Sequence, residues 1–136
     1  MKIPKKKKYK KYHRLNKNLF ARSVRKTNLI NGFWGLKAVE GGKITEKQIE
    51  AVRQAINKKI KPFGKVWIRV FASNPVTSKP SEVRMGKGKG SVNRWICNVR
   101  PGQVLYEVNG VKSSIAFFAL KSGSIKLPIK TSIVSY

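Results

Sequence analysis

Apolar positions divide the 136-residue chain near residue 30. Before that point they are sparse and follow no steady period; after it they fall into runs with strand or helix spacing. Phe33-Trp34-Gly35-Leu36-Lys37-Ala38-Val39 has the make-up of a strand, closed by a turn at Gly41-Gly42. The clearest local pattern comes next. Thr45 suits a helix N-cap, and Gln48 three residues on completes a capping box. Ile44 and Ile49 flank it with the spacing of a hydrophobic staple. Ile49, Val52, Ile56 and Ile60, with Ala55 beside them, lie on one helical face. Glu46 at the start and Lys58, Lys59 and Lys61 at the end complement the helix dipole, and Pro62 stops the helix. The spacing therefore predicts an amphipathic helix over 45–60. Its narrow apolar stripe and capped ends suit packing on a core better than lying on a membrane.

Lys65-Val66-Trp67-Ile68-Arg69-Val70-Phe71 predicts a strand with Val66, Ile68 and Val70 on one face and Trp67, Arg69 and Phe71 on the other. The second face suits RNA contact and partial burial equally. Residues 72–81, with Asn74-Pro75 and Lys79-Pro80, carry loop signals. Arg94-Trp95-Ile96-Cys97-Asn98-Val99 is a further strand, with Trp95, Cys97 and Val99 inward. A turn at Pro101-Gly102 makes Gln103-Val104-Leu105-Tyr106-Glu107-Val108 its expected antiparallel partner. Asn109-Gly110 is a turn signal. Residues 113–120 predict a short buried helix ended by Ser122-Gly123, and residues 129–134 a last strand. The expected fold is α+β: two helices on a mostly antiparallel sheet, with a basic N-terminal extension over 1–30 and one domain over 31–136.

Between these elements lies Arg84-Met85-Gly86-Lys87-Gly88-Lys89-Gly90-Ser91. Glycine permits positive φ and close backbone approach, and lysine offers point charges to phosphates. The planar fork of Arg84 can grip a phosphate at two points or stack on a base. The run is not a nucleotide-binding loop. Lys89 is followed by Gly90 where a Walker motif needs Ser or Thr, and Ser91 occupies the last glycine position of a dinucleotide fingerprint. A phosphate-backbone contact loop is the better reading.

Charge widens that reading to the whole chain. Thirty-one Lys and Arg face five Asp and Glu, a formal charge of +26. Such self-repulsion opposes a free compact state, and a polyanionic partner relieves it. Residues 1–26 hold twelve of the basic groups and no acid, yet the remainder is basic too. The extension carries Lys5, Lys6, Lys7, Lys8, Lys10, Lys11, His13, Arg14, Lys17, Arg22 and Arg25 as candidate RNA contacts, with Tyr9, Tyr12 and Phe20 spaced among them for stacking on splayed bases. The hydrophobic content of 40% argues against a wholly disordered chain.

Composition also excludes chemistry. One Cys (Cys97) allows no internal disulfide, and with one His (His13) no Cys/His zinc site is possible. Five carboxylates leave little for metal cages or acid–base catalysis. No metal, cofactor or enzymatic activity is expected. No apolar run approaches the roughly 18–20 residues of a membrane span, and the N-terminus has no secretory h-region.

Several stretches resemble a known family. They are Phe33-Trp34-Gly35-Leu36-Lys37-Ala38, Gln48-Ile49-Glu50-Ala51, residues 64–71, Lys79-Pro80, residues 83–90, Pro101-Gly102, Val104-Leu105-Tyr106-Glu107 and Lys126-Leu127-Pro128-Ile129-Lys130-Thr131. Together they resemble the bacterial-type large-subunit ribosomal protein sixteen family, whose archaeal and eukaryotic cytosolic counterpart is ribosomal protein ten. The Arg-Met-Gly-Lys-Gly-Lys-Gly run is its most specific mark, and Ile3-Pro4-Lys5-Lys6 matches its basic start. The resemblance implies a structural constituent of the large subunit. It implies contacts with large-subunit rRNA, with tRNA in the aminoacyl or peptidyl site, and with neighbouring ribosomal proteins. The loop from Arg84 to Gly90 (Arg84, Met85, Gly86, Lys87, Gly88, Lys89 and Gly90) would face tRNA near the peptidyl-transferase region. In some members the arginine matching Arg84 is hydroxylated. Residues 15–30 depart from the family pattern, and Val111-Lys112-Ser113-Ser114 lacks the acids that usually open the second helix. The alternative from another class is a free RNA-binding regulator or chaperone. A Lys-, Ile- and Asn-rich composition points to an organelle or an AT-rich bacterium, and the departure from the usual bacterial and plastid tail pattern favours a mitochondrial ribosome, with plastid or bacterial cytoplasm as alternatives.

Overall fold

The computed structural model describes residues 4, 9–11, 13 and 21–136. In chain order the elements are β1 (Trp34–Ala38), β2 (Gly42–Thr45), α1 (Glu46–Ile60), β3 (Lys65–Ile68), β4 (Asn74–Ser78), β5 (Ser91–Val99), β6 (Val104–Asn109), α2 (Ser113–Ser124) and β7 (Thr131–Ser135). The fold is α+β, and every strand pair is antiparallel.

Helix α1 forms where local chemistry demands it. The Gln48 N–H donates to Thr45 Oγ1 at 3.3 Å, and the Thr45 N–H donates to Gln48 Oε1 at 2.9 Å, so two otherwise orphaned donors are satisfied. Ile49, Val52, Ile56 and Ile60 are buried, as their spacing requires. Glu50 accepts from Arg53 at 2.5 Å on the outer face. That hydrogen bond holds the Glu50 carboxyl below its ordinary range.

The strands divide into two sheets rather than one. The first has the order β3-β6-β1-β7 and the second β2-β5-β4. The expected pairing of residues 103–108 with residues 94–99 does not occur. Strand β5 has both edges filled, by β2 and β4. The 101–102 turn is captured instead by the end of β1: the Gly102 N–H donates to the Ala38 carbonyl at 2.7 Å, and the Ala38 N–H donates to the Gln103 carbonyl at 2.9 Å. The chain thus crosses into the other sheet. There Val104, Leu105, Tyr106, Glu107 and Val108 are all buried. A strand buried on both faces belongs in a sheet centre, and β1 and β3 supply its two partners.

A second correction concerns residues 72–81, which are not wholly loop. Residues 74–78 form β4 on β5. Proline at position 75 is compatible with this because β4 is an edge strand. The strand expected over 65–71 is shorter, ending at Ile68, although the Arg69 N–H still donates to the Leu105 carbonyl at 2.9 Å. In β5, Cys97 and Val99 join the core and Trp95 packs partly buried against it, as expected, while Ile96 is buried on the opposite face, outside that core.

Helix α2 runs past Ser122-Gly123 to Ser124 and is buried only on Ala116, Ala119, Leu120 and Gly123. Ile115, Phe117 and Phe118 are exposed, so this helix is not buried all round. Its N-cap, Lys112, makes no side-chain cap bond, and its first turn has no acid. Both helices pack on one core that includes Leu36, Val99, Tyr106 and Val108. The Tyr106 hydroxyl donates to the Ile49 carbonyl at 2.9 Å, tying the central strand to α1. Burial pushes its pKa far above the ordinary range, so the hydroxyl keeps its proton.

Candidate nucleic-acid interface

The glycine–lysine run is the tip of a hairpin. Strands β4 and β5 pair down to Ser78 opposite Ser91, and residues 79–90 connect them. The new strand β4 therefore changes what the loop is. It is not an open stretch of chain but a projection with a fixed base. Arg84, Met85, Lys87 and Lys89 are all exposed. Gly86, Lys87 and Gly88 have φ of 93°, 53° and 88°. Glycine adopts this left-handed region without a Cβ penalty, and a Cβ at either flanking glycine would meet nothing within 4 Å. Their role is conformational. Gly90 has another role: a Cβ there would collide with the Ser78 carbonyl oxygen. It lets the two strands close at the base. The Lys79 ammonium donates to the Gly86 carbonyl, bracing the tip from below.

The extension approaches this tip. Lys11 Nζ donates to the Lys89 carbonyl at 3.3 Å across 78 positions of sequence. Lys10 and His13 are exposed nearby in sequence. Lys5, Lys6, Lys7, Lys8, Arg14 and Lys17 lie outside the described residues. Arg22 and Arg25 are exposed, and both belong to a different part of the surface, a strap over residues 22–32. Arg22 lies beside Gly102. The Ser23 N–H donates to the Pro101 carbonyl, and the Val104 N–H donates to the Lys26 carbonyl, both at 2.8 Å.

The strap is held by a group that the reading of sequence did not single out. Glu107, fully buried in β6, accepts the N–H groups of Ile30 at 3.3 Å, Asn31 at 2.6 Å and Gly32 at 3.2 Å. Arg69 also bonds Glu107, and its guanidinium donates to the Asn28 carbonyl at 3.1 Å. Burial alone would push the Glu107 carboxyl up. The Asn31 and Ile30 N–H bonds and the Arg69 guanidinium outweigh burial and hold it below its ordinary range. The available signal was an acid inside an apolar strand run, since Glu is almost never fully buried unless paired.

Arg69 is thus engaged with an acid rather than presented to RNA, Trp67 is half-buried, and Phe71 is exposed. Cys97 is buried, and that burial raises its pKa, which suits a packing residue and not a nucleophile. Among the described residues no cluster of three or more His, Cys, Asp or Glu could hold a metal. Among them, too, no helix is long and apolar enough to cross a membrane.

A large ribosomal subunit protein uL16 from Chelativorans sp. (strain BNC1) is 55% identical over 108 residues, covering 79% of each chain. The family described as Ribosomal protein L16p/L10e matches residues 4–134, which include the strap, both helices, all of the strands but the last residue of β7, and the whole glycine–lysine hairpin. By both measures the chain belongs to the ribosomal protein L16p/L10e family.

Proposed function

We propose that this structural constituent of the large ribosomal subunit grips large-subunit rRNA with its extension and strap, and turns the Arg84–Gly90 tip toward tRNA in the aminoacyl site. The observation that carries the proposal is the exposed, glycine-shaped, lysine-bearing hairpin tip on a chain of charge +26. Lys5, Lys6, Lys7, Lys8, Lys10, Lys11, His13, Arg14, Lys17, Arg22 and Arg25 neutralise rRNA phosphates. Arg84, Lys87 and Lys89 meet the anionic backbone at the tip, where Gly86, Gly88 and Gly90 let the chain come close. Met85, which is 99% exposed, adds apolar contact there. The action is positioning and charge neutralisation, with no covalent step.

The test reconstitutes large subunits lacking this protein with the wild-type chain and with Arg84→Ala. Loss of a charge-assisted bond of about 1.5–3 kcal/mol slows aminoacyl-tRNA accommodation about tenfold or more. Thermal unfolding of the isolated chain stays unchanged, because Arg84 is exposed. Normal accommodation by the variant would remove the role given to the tip. A free RNA-binding regulator making about 6–10 phosphate contacts would dissociate between 50 and 200 mM salt, losing roughly 10³–10⁵ in affinity. A subunit component stays with the particle. For the compartment, the Chelativorans relative supports a bacterial ribosome. The departure of residues 15–30 from the family pattern supports a mitochondrial one. The ribosome with which the chain co-purifies decides between them.

A further inference from the structure

Three strand ends meet at one edge of the four-stranded sheet. Phe33 immediately precedes β1, Asn109 ends β6, and Tyr136 follows β7. The registers put them side by side: Trp34 lies opposite Val108 on one flank and Ser135 on the other. The Tyr136 N–H donates to the Phe33 carbonyl at 2.9 Å. Residues 29–33, Asn109 and Tyr136 line a cleft of about 270 Å³.

The backbone of its walls is held by the fold. On the strap side, the fully buried Glu107 holds the N–H groups of Ile30, Asn31 and Gly32. On the other side, the β1–β7 ladder and the Tyr136–Phe33 bond hold the backbone of Tyr136. The Asn109 Oδ1 accepts from the Gly110 N–H at 2.7 Å, which leaves the Asn109 NH₂ as a donor. Within this frame Phe33, Ile30 and Tyr136 remain 61%, 75% and 92% exposed. Apolar walls on a held backbone, with a few polar groups at the rim, describe a ligand site. The volume is just under the roughly 300–1,000 Å³ that hold a drug-sized ligand, so the occupant is a single planar group and not a strand.

We propose that this cleft receives one unpaired nucleobase of large-subunit rRNA, stacked on Phe33 and Tyr136 and edged by the Asn31 and Asn109 amides. The proposal rests on the rRNA-binding reading above. The chemistry favours a base over an apolar protein side chain for two reasons. Aromatic faces stack on any splayed base while amides bond its edges. The chain carries a charge of +26, and residues 22–26 of the strap, with Arg22, Arg25 and Lys26, run beside Gly102 and Val104 toward the far end of β6, where they meet other phosphates of the same RNA.

The test uses the full chain with large-subunit rRNA and with reconstituted subunits. It compares wild type, Phe33→Ala, Tyr136→Ala and the double variant. Stacking on an aromatic side chain contributes enough that its removal lowers rRNA affinity about 5- to 150-fold, with the salt dependence of binding unchanged. Base-specific chemical probing then shows one nucleotide becoming reactive in the double variant. Ultraviolet cross-linking of wild-type subunits joins that nucleotide to residues 29–33 or to Tyr136. Circular dichroism and thermal melting check that the variants fold; both side chains are largely exposed, so the core is left intact. Unchanged affinity and reactivity would overturn the proposal, as would cross-links from these residues to a protein neighbour. If wild type itself failed to bind rRNA, the broader reading would fall. If wild type binds and the double variant binds equally well, only the cleft assignment falls.

Discussion

The strap and the glycine–lysine tip are both basic and both face outward, yet they are fixed in opposite ways. The strap is fastened from beneath by a buried carboxylate that collects three consecutive N–H groups and one guanidinium. Among the described residues, no buried carboxylate lies beneath the tip. Its shape comes from three consecutive positive φ values, a strand pair closing at Ser78 and Ser91, and lysine bonds to the Gly86 and Lys89 carbonyls. One region therefore depends on a charge deep in the sheet, and the other on backbone freedom at the surface. Their responses to mutation and to pH should separate cleanly.

The largest expected effect is on the strap. Replacing Glu107 by Ala leaves Arg69 without its acid and three N–H groups without an acceptor. Removing one partner of a buried ion pair costs about 3–5 kcal/mol. Urea unfolding of the isolated chain measures the loss, and a value near zero would show that the strap is not tied through Glu107. Lowering the pH acts on the same bond more gently. A carboxyl held below its ordinary range stabilises the fold above that range. Its contribution fades as pH falls through the lower pKa of the folded state. Hydrogen exchange at Ile30, Asn31 and Gly32 should accelerate there before exchange in α1 does. Simultaneous acceleration would mean that strap and core open as one unit.

The tip should respond with the smallest change in stability and a specific change in binding. Lys87→Ala and Lys89→Ala should leave thermal unfolding within about 0.5 kcal/mol, since exposed surface positions seldom do more. Each should reduce the salt dependence of RNA or tRNA binding by about one phosphate contact. An unchanged salt slope would show that these lysines meet no phosphate, and a large loss of stability would break the contrast with the strap.

The same contrast separates what the chain's pattern exposes from what it hides. Helix α1 is legible because its determinants sit within a few residues of one another: Thr45 with Gln48, and an isoleucine–valine stripe at helical spacing. The tip is legible for the same reason, since Gly86, Gly88 and their lysines are adjacent. The pairing of β6 is not. A turn at Pro101-Gly102 suggests a hairpin with β5, but β5 is already flanked by β2 and β4, and β6 is apolar on both faces. Strand β4 was hidden by Pro75, which is tolerable only because that strand lies at an edge. Glu107 is one acid in an apolar run, and its partners lie 38 positions away, at Arg69, and 75 to 77 positions away, at residues 30–32.

By itself, then, the sequence determined the α+β class, the capped helix over 45–60, the excess of positive charge and the chemistry of the Gly86–Gly90 tip. These follow from residues that act on their immediate neighbours. Only the tertiary structure decided that two sheets form, that β6 lies between β1 and β3, and that the tip crowns a hairpin. It also decided that Glu107 fastens a strap whose edge meets Phe33, Asn109 and Tyr136. Those outcomes depend on which distant groups share the interior. There, each buried strand needs two partners and each buried charge needs donors, and such demands are settled only when the whole chain has closed around its core.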